Sequence, residues 1–187
     1  MDLKQDNSVW KVLNSSYVSQ RPWFTARVDH VQLPNGNEIE EYYILEYPEW
    51  VNVIAITKEK EFVMVKQYRH GIAKTAYELC AGVVDATDTT FLAAAQRELL
   101  EETGYGNGRW TPYMQISANP GTHTNFTHCF LAEDVELVAP PTLEATEDLS
   151  VHLLQPADVV SILQANEMPQ ALHAAPLWRY IAEHRLL

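Results

Sequence analysis

The chain has 187 residues, 47% of them hydrophobic, which is enough for one domain with a buried core and a small additional lobe. Acidic side chains outnumber basic ones by 25 to 13, and a net charge of -12 argues against a protein that coats nucleic acid. No run approaches the ~18 apolar residues of a membrane helix, and the N-terminal stretch lacks the apolar core of a signal peptide. With only Cys80 and Cys129 and no CxxC, we expect reduced thiols in a cytoplasmic protein.

The N-terminal region predicts a β-hairpin. Up to residue 20 the chain is polar and weakly patterned, and we expect only a short amphipathic piece around 9–13. Residues 24–33 alternate with the period of a strand, end at the turn signal PNGN, and precede a second such run at 38–47. We expect residues 1–47 to form a small hairpin lobe, and a homodimer, because pairing with a second subunit protects the exposed hairpin edges.

The rest of the chain, residues 48–187, predicts a mixed α/β domain. The runs WVNVIAIT and EFVMVKQYR predict central strands, and AYEL a short one. A helix follows at FLAAAQRELLEETG, with Thr90 as its N-cap and Gly104 at its end. Strands are predicted again at WTPYMQIS, FTHCFLAEDVEL and LSVHLL, and two helices close the chain, the first beginning near Pro156. We therefore expect helices that cover a mixed sheet.

The segment RELLEETGY, residues 97–105, concentrates negative charge on one helix. Glu98 and Glu102 have i, i+4 spacing, about 6 Å apart at Cβ, and Glu101 lies on the same side. The three carboxylates repel one another near the C-terminal end of the helix, where the macrodipole also disfavours negative charge. Such a run is often a solvated face, but a hard divalent cation such as Mg²⁺ resolves both conflicts.

This segment resembles the second half of the Nudix box, G-x5-E-x7-R-E-U-x-E-E-x-G-U, where U is bulky and apolar, and it matches that half from Arg97 to Tyr105. The first half departs from the box. Counted from Gly82, the expected glutamate falls at Asp88 and the expected arginine at Gln96, so the loop carries one extra residue. Asp88 either replaces the first glutamate of the family or only adds polarity to the loop.

Over roughly residues 23–154 the chain is similar to ADP-ribose pyrophosphatases and related nucleoside-diphosphate-sugar hydrolases, through LPNG, VKQYR, YELCAG, NPG and ATEDLSVHLL. The resemblance implies a Nudix-like α/β/α sandwich around a mixed sheet with an N-terminal β-hairpin lobe. It also implies cleavage of ADP-ribose or a related ADP-sugar into AMP and a sugar phosphate. The implied cofactor is Mg²⁺, with Mn²⁺ as a substitute. The alternatives are GDP-mannose or another nucleotide sugar and, in a different class, a sensor that binds without cleaving.

The resemblance also implies roles for individual residues. The implied metal ligands are Glu98, Glu102, Glu101, Glu78 and the carbonyl of Ala81. The implied catalytic groups are Arg97, Glu101 and Glu147, with Glu144 as the alternative to Glu147 in activating water. The implied substrate contacts are Arg69, Pro120, Gly121 and a base-stacking aromatic, which is Trp23 or else Tyr42 or Tyr43.

The chain departs from this branch in two places, and the second departure concerns the substrate. Cys80 replaces the proline of the E-x-P-A-G segment. Some ADP-ribose hydrolases also carry a glutamate shortly after an S-P-G signature, whereas residues 122–125 here read THTN. The second departure weakens the case for ADP-ribose relative to other nucleotide sugars.

Overall fold

A computed structural model describes residues 9–187, which fall into two compact units. The first contains the described residues up to Tyr47 together with Asn119–Asn125, and the second contains Pro48–Ala118 and Phe126–Leu187. The segment Asn119–Asn125 joins the first unit through backbone contacts. The Leu45 N–H donates to the carbonyl of Thr122 at 2.8 Å, for example.

The first unit is built on a three-stranded antiparallel sheet. Its strands are β1 (Lys11–Arg21), β2 (Phe24–Gln32) and β3 (Glu38–Glu46), in that spatial order. The predicted hairpin is confirmed as β2 and β3. The expectation of only a short amphipathic piece was wrong, because β1 is an eleven-residue strand. Nearly all of β1 is exposed, so its sequence lacks the alternation that marks a half-buried strand, and pairing with β2 defines it instead.

The second unit contains a seven-stranded mixed sheet. Its main path runs β10-β5-β6-β4-β9-β7, and β8 pairs with β9. Strands β4 and β9 are parallel and the other pairs are antiparallel. The strand bounds are β4 Trp50–Thr57, β5 Phe62–Arg69, β6 Lys74–Val83, β7 Tyr105–Gly106, β8 Arg109–Ile116, β9 Thr127–Leu137 and β10 Leu149–Leu154.

Helices cover both faces of this sheet. Helix α1 (Phe91–Thr103) packs with one apolar cluster, and α2 (Pro156–Gln164) and α3 (Ala171–His184) pack with the other. The predicted ends of α1 are confirmed, because the Thr90 side chain accepts from the Ala93 N–H and Gly104 adopts φ 76°. The arrangement confirms the predicted mixed α/β fold. No helix within residues 9–187 is long and apolar enough to cross a membrane.

Candidate functional site

Two glutamates of α1 are buried. Glu98 is 8% exposed and Glu102 is 4% exposed, and they share the buried face of the helix with Ala95 and Leu99. Glu101 is only half-buried. A solvated face therefore does not describe Glu98 and Glu102, because the packing of α1 carries both carboxylates against the sheet.

The end of β6 lies directly against these two carboxylates. The Ala81 N–H donates to Oε2 of Glu102 at 3.1 Å, and the buried Cys80 thiol also interacts with this carboxylate. At Gly82 a Cβ would lie 2.0 Å from the carboxyl carbon of Glu98. The glycine is therefore needed for close approach, and the strand and helix together fix where both carboxylates sit.

Burial changes the acidity of the two glutamates. Desolvation raises the pKa of Glu98 to about 7, against the favourable charge and hydrogen bond of Arg97. Desolvation also raises the pKa of Glu102 to about 7, although Cys80 and Ala81 hydrogen-bond its charged form. In both cases the hydrogen bonds and positive charge of the protein do not offset the desolvation of the carboxylate. A bound cation would stabilise the charged form of both glutamates.

Arg97 links the helix to the preceding loop. Its Nη1 donates to Glu98 at 2.9 Å and to Glu101 at 3.0 Å. Its Nε and Nη2 donate to the two oxygens of Asp88 at 3.2 and 2.9 Å, and Nη2 also reaches the carbonyl of Val83. The Arg97 hydrogen bond lowers the pKa of Asp88. Of the two interpretations of Asp88, this contact favours the one in which Asp88 replaces the first glutamate of the family over loop polarity alone.

A second acidic position lies on β6. Glu78 is 1% exposed and accepts from Nε of Arg69 at 2.8 Å and from Nη2 of the same guanidinium. Nε2 of Gln67 donates to Glu78 at 3.2 Å. Gln67 was not among the site residues predicted from the sequence. Its two-residue spacing from Arg69 places both on one face of β5, a signal that could have found it.

The loop before β10 contains Glu144 and Glu147. The Glu144 N–H donates to the Glu147 carboxylate at 2.8 Å, which holds that carboxylate over a turn. The charge of Glu147 contributes to the raised pKa of Glu98 and of Glu102, so the loop brings it into electrostatic range of both. Glu144 is not among the main causes of either shift, so the placement favours Glu147.

The donor set fits a hard divalent cation, which prefers carboxylate and carbonyl oxygens. Across residues 9–187 no group of three acidic, histidine or cysteine side chains already converges as metal ligands. Arg69, Arg97 and the Ala81 N–H hold the carboxylates instead. The two buried glutamates with raised pKa values are the observation that supports a cation. The oxygens that could hold it belong to Glu78, Glu98, Glu101, Glu102 and the Ala81 carbonyl.

The predicted substrate residues of the first unit have separate surroundings. Trp23 lies in the β1–β2 turn with φ 62° and is 66% exposed. The Tyr42 hydroxyl donates to the carbonyl of Gly121 at 2.5 Å, so Tyr42 holds the NPG loop. Tyr43 is 53% exposed, and Pro120 and Gly121 are exposed too. Trp23 is therefore more available than Tyr42 for stacking on a base.

Comparison with known families assigns the chain. Residues 46–176 match the family described as NUDIX domain, and residues 10–45 match the nucleoside diphosphate sugar hydrolase N-terminal domain. The chain belongs to the NUDIX family. This membership confirms the family and the pyrophosphohydrolase class predicted from the sequence.

Two relatives and one solved structure extend the Nudix assignment. The chain is 32% identical over 146 residues to an ADP-ribose pyrophosphatase of Bacillus subtilis, covering 77% of each protein. It is 30% identical over 83 residues to a GDP-mannose pyrophosphatase of Escherichia coli, covering 41% of this chain and 42% of that one. A crystal structure of an ADP compounds hydrolase matches with a TM-score of 0.75 and 20% identity, over 95% of this chain and 97% of that one. The structural likeness confirms the Nudix fold.

Proposed function

We propose that this Nudix hydrolase cleaves the diphosphate of ADP-ribose or a related ADP-sugar, giving AMP and a sugar phosphate. The observation that carries the proposal is the buried pair Glu98 and Glu102, packed against the glycine and backbone amide at the end of β6. The match of residues 10–45 to a nucleoside diphosphate sugar hydrolase domain supports the substrate class. The relative from Bacillus subtilis supports ADP-ribose within that class.

Mg²⁺ is the proposed cofactor, with Mn²⁺ as its substitute. The residues that would hold it are Glu78, Glu98, Glu101, Glu102 and the carbonyl of Ala81. When bound, the ion supplies neutralisation of the diphosphate charge and makes a water easier to deprotonate. Carboxylate ligands without sulfur or imidazole suit Mg²⁺ better than softer metals.

The protein side chains supply the remaining functions. Arg97 holds Glu98 and Glu101 in place through one terminal nitrogen. The Arg69 guanidinium, with its side chain 47% exposed, provides positive charge for a diphosphate oxygen. Glu147, or Glu144 as the alternative, accepts a proton from the attacking water. The water oxygen bonds to one phosphorus, the bridging P–O bond breaks, and the two phosphate products separate.

The second candidate substrate is GDP-mannose or another nucleoside-diphosphate sugar. The Escherichia coli relative supports it, as does the THTN sequence at 122–125, which lacks the glutamate of some ADP-ribose hydrolases. A non-catalytic sensor is disfavoured, because every glutamate in the second half of the box is present.

A homodimer is part of the proposal, with residues 1–47 as the dimerising lobe and 48–187 as the Nudix domain. The first unit exposes many large apolar side chains, a surface that favours association. Those most exposed are Val9, Val12, Tyr17, Val18, Trp23, Phe24 and Tyr43. Sedimentation at low concentration checks this, and a monomer at all concentrations would contradict it. A cytoplasmic location is also proposed, supported by two cysteines that are buried and unpaired.

A substrate panel tests the activity. ADP-ribose, ADP-glucose and GDP-mannose are incubated with enzyme and Mg²⁺, and the products are identified by mass spectrometry. We expect AMP and a sugar phosphate from an ADP-sugar. Glu102→Gln should reduce turnover at least about 100-fold, because charge stabilisation at the reacting group is usually worth that much. Glu59→Gln, on an exposed turn, is the matched control. Unchanged turnover in folded Glu102→Gln would refute the metal assignment.

A further inference from the structure

A small cavity of about 220 Å³ lies beside the Arg69–Glu78 pair. The residues that line it are Arg69, Gly71, Ile72, Glu78, Pro169 and Gln170. All six belong to the second unit. The turn between β5 and β6 contributes one wall, and the segment that leads into α3 contributes the other.

The wall formed by the segment before α3 is held firmly against β6. The Tyr77 N–H donates to the carbonyl of Glu167 at 3.3 Å, and Met168 is 2% exposed. In the first turn of α3 the buried His173 accepts from the Leu79 N–H at 2.9 Å. Since Leu79 follows Glu78 directly, the two walls of the cavity are tied together through the backbone of β6.

Gln170 occupies the N-cap position of α3, yet its side chain does not cap the helix. Gln170 is exposed at the mouth of the cavity, and within residues 9–187 its side-chain amide makes no hydrogen bond, so the amide is available to a ligand. A primary amide carries two donors and one acceptor, which suits a ligand with alternating hydroxyl groups. Nη1 of Arg69 is also without a hydrogen-bond partner in this part of the chain, because Glu78 takes Nε and Nη2.

The size and lining of the cavity select one class of ligand. Its volume is below the roughly 300–1,000 Å³ of pockets that enclose a whole small ligand, so it suits one part of a substrate. None of the described residues that line it is aromatic, which disfavours a stacked base. Arg69 is the cation that the proposed function assigns to a diphosphate oxygen, and Gln170 is neutral, so the described lining offers no second cation for a further phosphate. A sugar with several hydroxyl groups fits both the polar and the apolar walls.

We propose that this cavity binds the sugar at the far end of the nucleotide-sugar substrate, with Gln170 as a specificity-determining residue. The inference rests on the proposed function and names the part of the site that recognises the sugar. Gly71 lines the cavity, a Cβ there would meet nothing within 4 Å, and its backbone is not in the left-handed region. A larger side chain at position 71 can therefore be introduced without backbone strain, and we expect it to narrow the cavity.

Binding of the two halves of the substrate, measured separately, tests which half the cavity holds. Calorimetry with ribose 5-phosphate and with AMP measures each half alone on wild type, Gln170→Ala, Gly71→Val and the control Gln164→Ala on the exposed side of α2. Loss of one hydrogen bond in Gln170→Ala should weaken ribose 5-phosphate about 3- to 10-fold and leave AMP unchanged. Gly71→Val should weaken a hexose phosphate more than ribose 5-phosphate.

Three results would be decisive. Unchanged ribose 5-phosphate affinity in Gln170→Ala and Gly71→Val overturns the sugar assignment, even if wild type cleaves ADP-ribose. A loss of AMP affinity instead shows that the cavity holds the nucleoside half, which also overturns it. If wild type cleaves no nucleotide sugar, the proposed function fails separately, while a selective loss of ribose 5-phosphate binding still supports a sugar-phosphate cavity.

Discussion

Gly82 lies so close to Glu98 that a Cβ on residue 82 would come within 2.0 Å of the glutamate carboxyl carbon. The contact joins the end of β6 to the buried face of α1, so the position of Glu98 depends on the absence of a side chain across from it. The φ of Gly82 is not positive, and the requirement is therefore one of space rather than of backbone conformation.

Gly82→Ala should therefore damage the site. The methyl group displaces the carboxylate of Glu98, and this shift costs little unfolding free energy because the carboxylate is the far end of a flexible side chain. We expect little change in urea unfolding but a fall in kcat/KM of at least about tenfold, because small misplacements of catalytic groups are costly. Gly71→Ala, with open space around its Cβ, is the control for stability. Wild-type activity in Gly82→Ala would show that Glu98 does not need this position.

Removal of divalent metal should have a pH-dependent effect on stability. Glu98 and Glu102 have pKa values of about 7 in the folded protein, above the ordinary value of 4.5. Their stabilising contribution is full below pH 4.5 and is lost as the pH rises through 7. In EDTA the protein should become less stable between pH 5 and pH 8, and Mg²⁺ should restore more stability at pH 8 than at pH 6. Urea unfolding at each pH measures this.

The variant that checks this prediction is Glu98→Gln with Glu102→Gln, which removes both titrating groups. Its stability in EDTA should depend less on pH across the same interval, and Mg²⁺ should add little. Equal Mg²⁺ stabilisation of wild type at pH 6 and pH 8 would contradict competition between protons and metal at these two glutamates.

Asp88 should act through Arg97. Asp88→Asn keeps the shape of the side chain but removes the charge that faces Nε and Nη2 of Arg97. We expect kcat/KM to fall about 3- to 30-fold, since hydrogen bonds to charged groups are worth more than neutral ones. Asp85→Asn is the matched control, because Asp85 is exposed and lies 3.7 Å from Arg97. Asp88→Glu tests whether the glutamate of the family box fits at this position. Equal activities for Asp85→Asn and Asp88→Asn would mean that Asp88 only adds polarity to the loop.

The parts of the fold that follow from local chemistry could be predicted from the sequence. The ends of α1 depend on a side-chain cap and a left-handed glycine, and both appear as residue types. Strand β1 has no such signal, because it is exposed on both faces. Within the site, the helical spacing placed Glu98 and Glu102 together, but their burial depends on which strand lies opposite. The contact of Gln67 with Glu78 likewise depends on the register between β5 and β6.

The role of His173 likewise depends on tertiary structure. Its residue type and position on α3 did not indicate a role, yet it is 5% exposed and accepts a hydrogen bond from the Leu79 N–H. Burial lowers the pKa of His173 to about 4, from an ordinary value of 6.5. Nδ1 of His173 must stay unprotonated to accept this hydrogen bond. Protonation of Nδ1 would break the link between α3 and β6.

Acid should therefore destabilise the protein through His173. The unfolded chain takes up the proton near pH 6.5 and the folded one only near pH 4, so this contribution to stability is complete above pH 6.5 and declines as the pH falls towards 4. The full loss is roughly 3 kcal/mol. His173→Gln keeps an acceptor and removes the titration. Wild type should exceed His173→Gln in unfolding free energy by less at pH 4.5 than at pH 7. Glu98 and Glu102 titrate in both proteins, so their opposite effect of pH on stability cancels in this difference. A constant difference would mean that His173 does not titrate in this range.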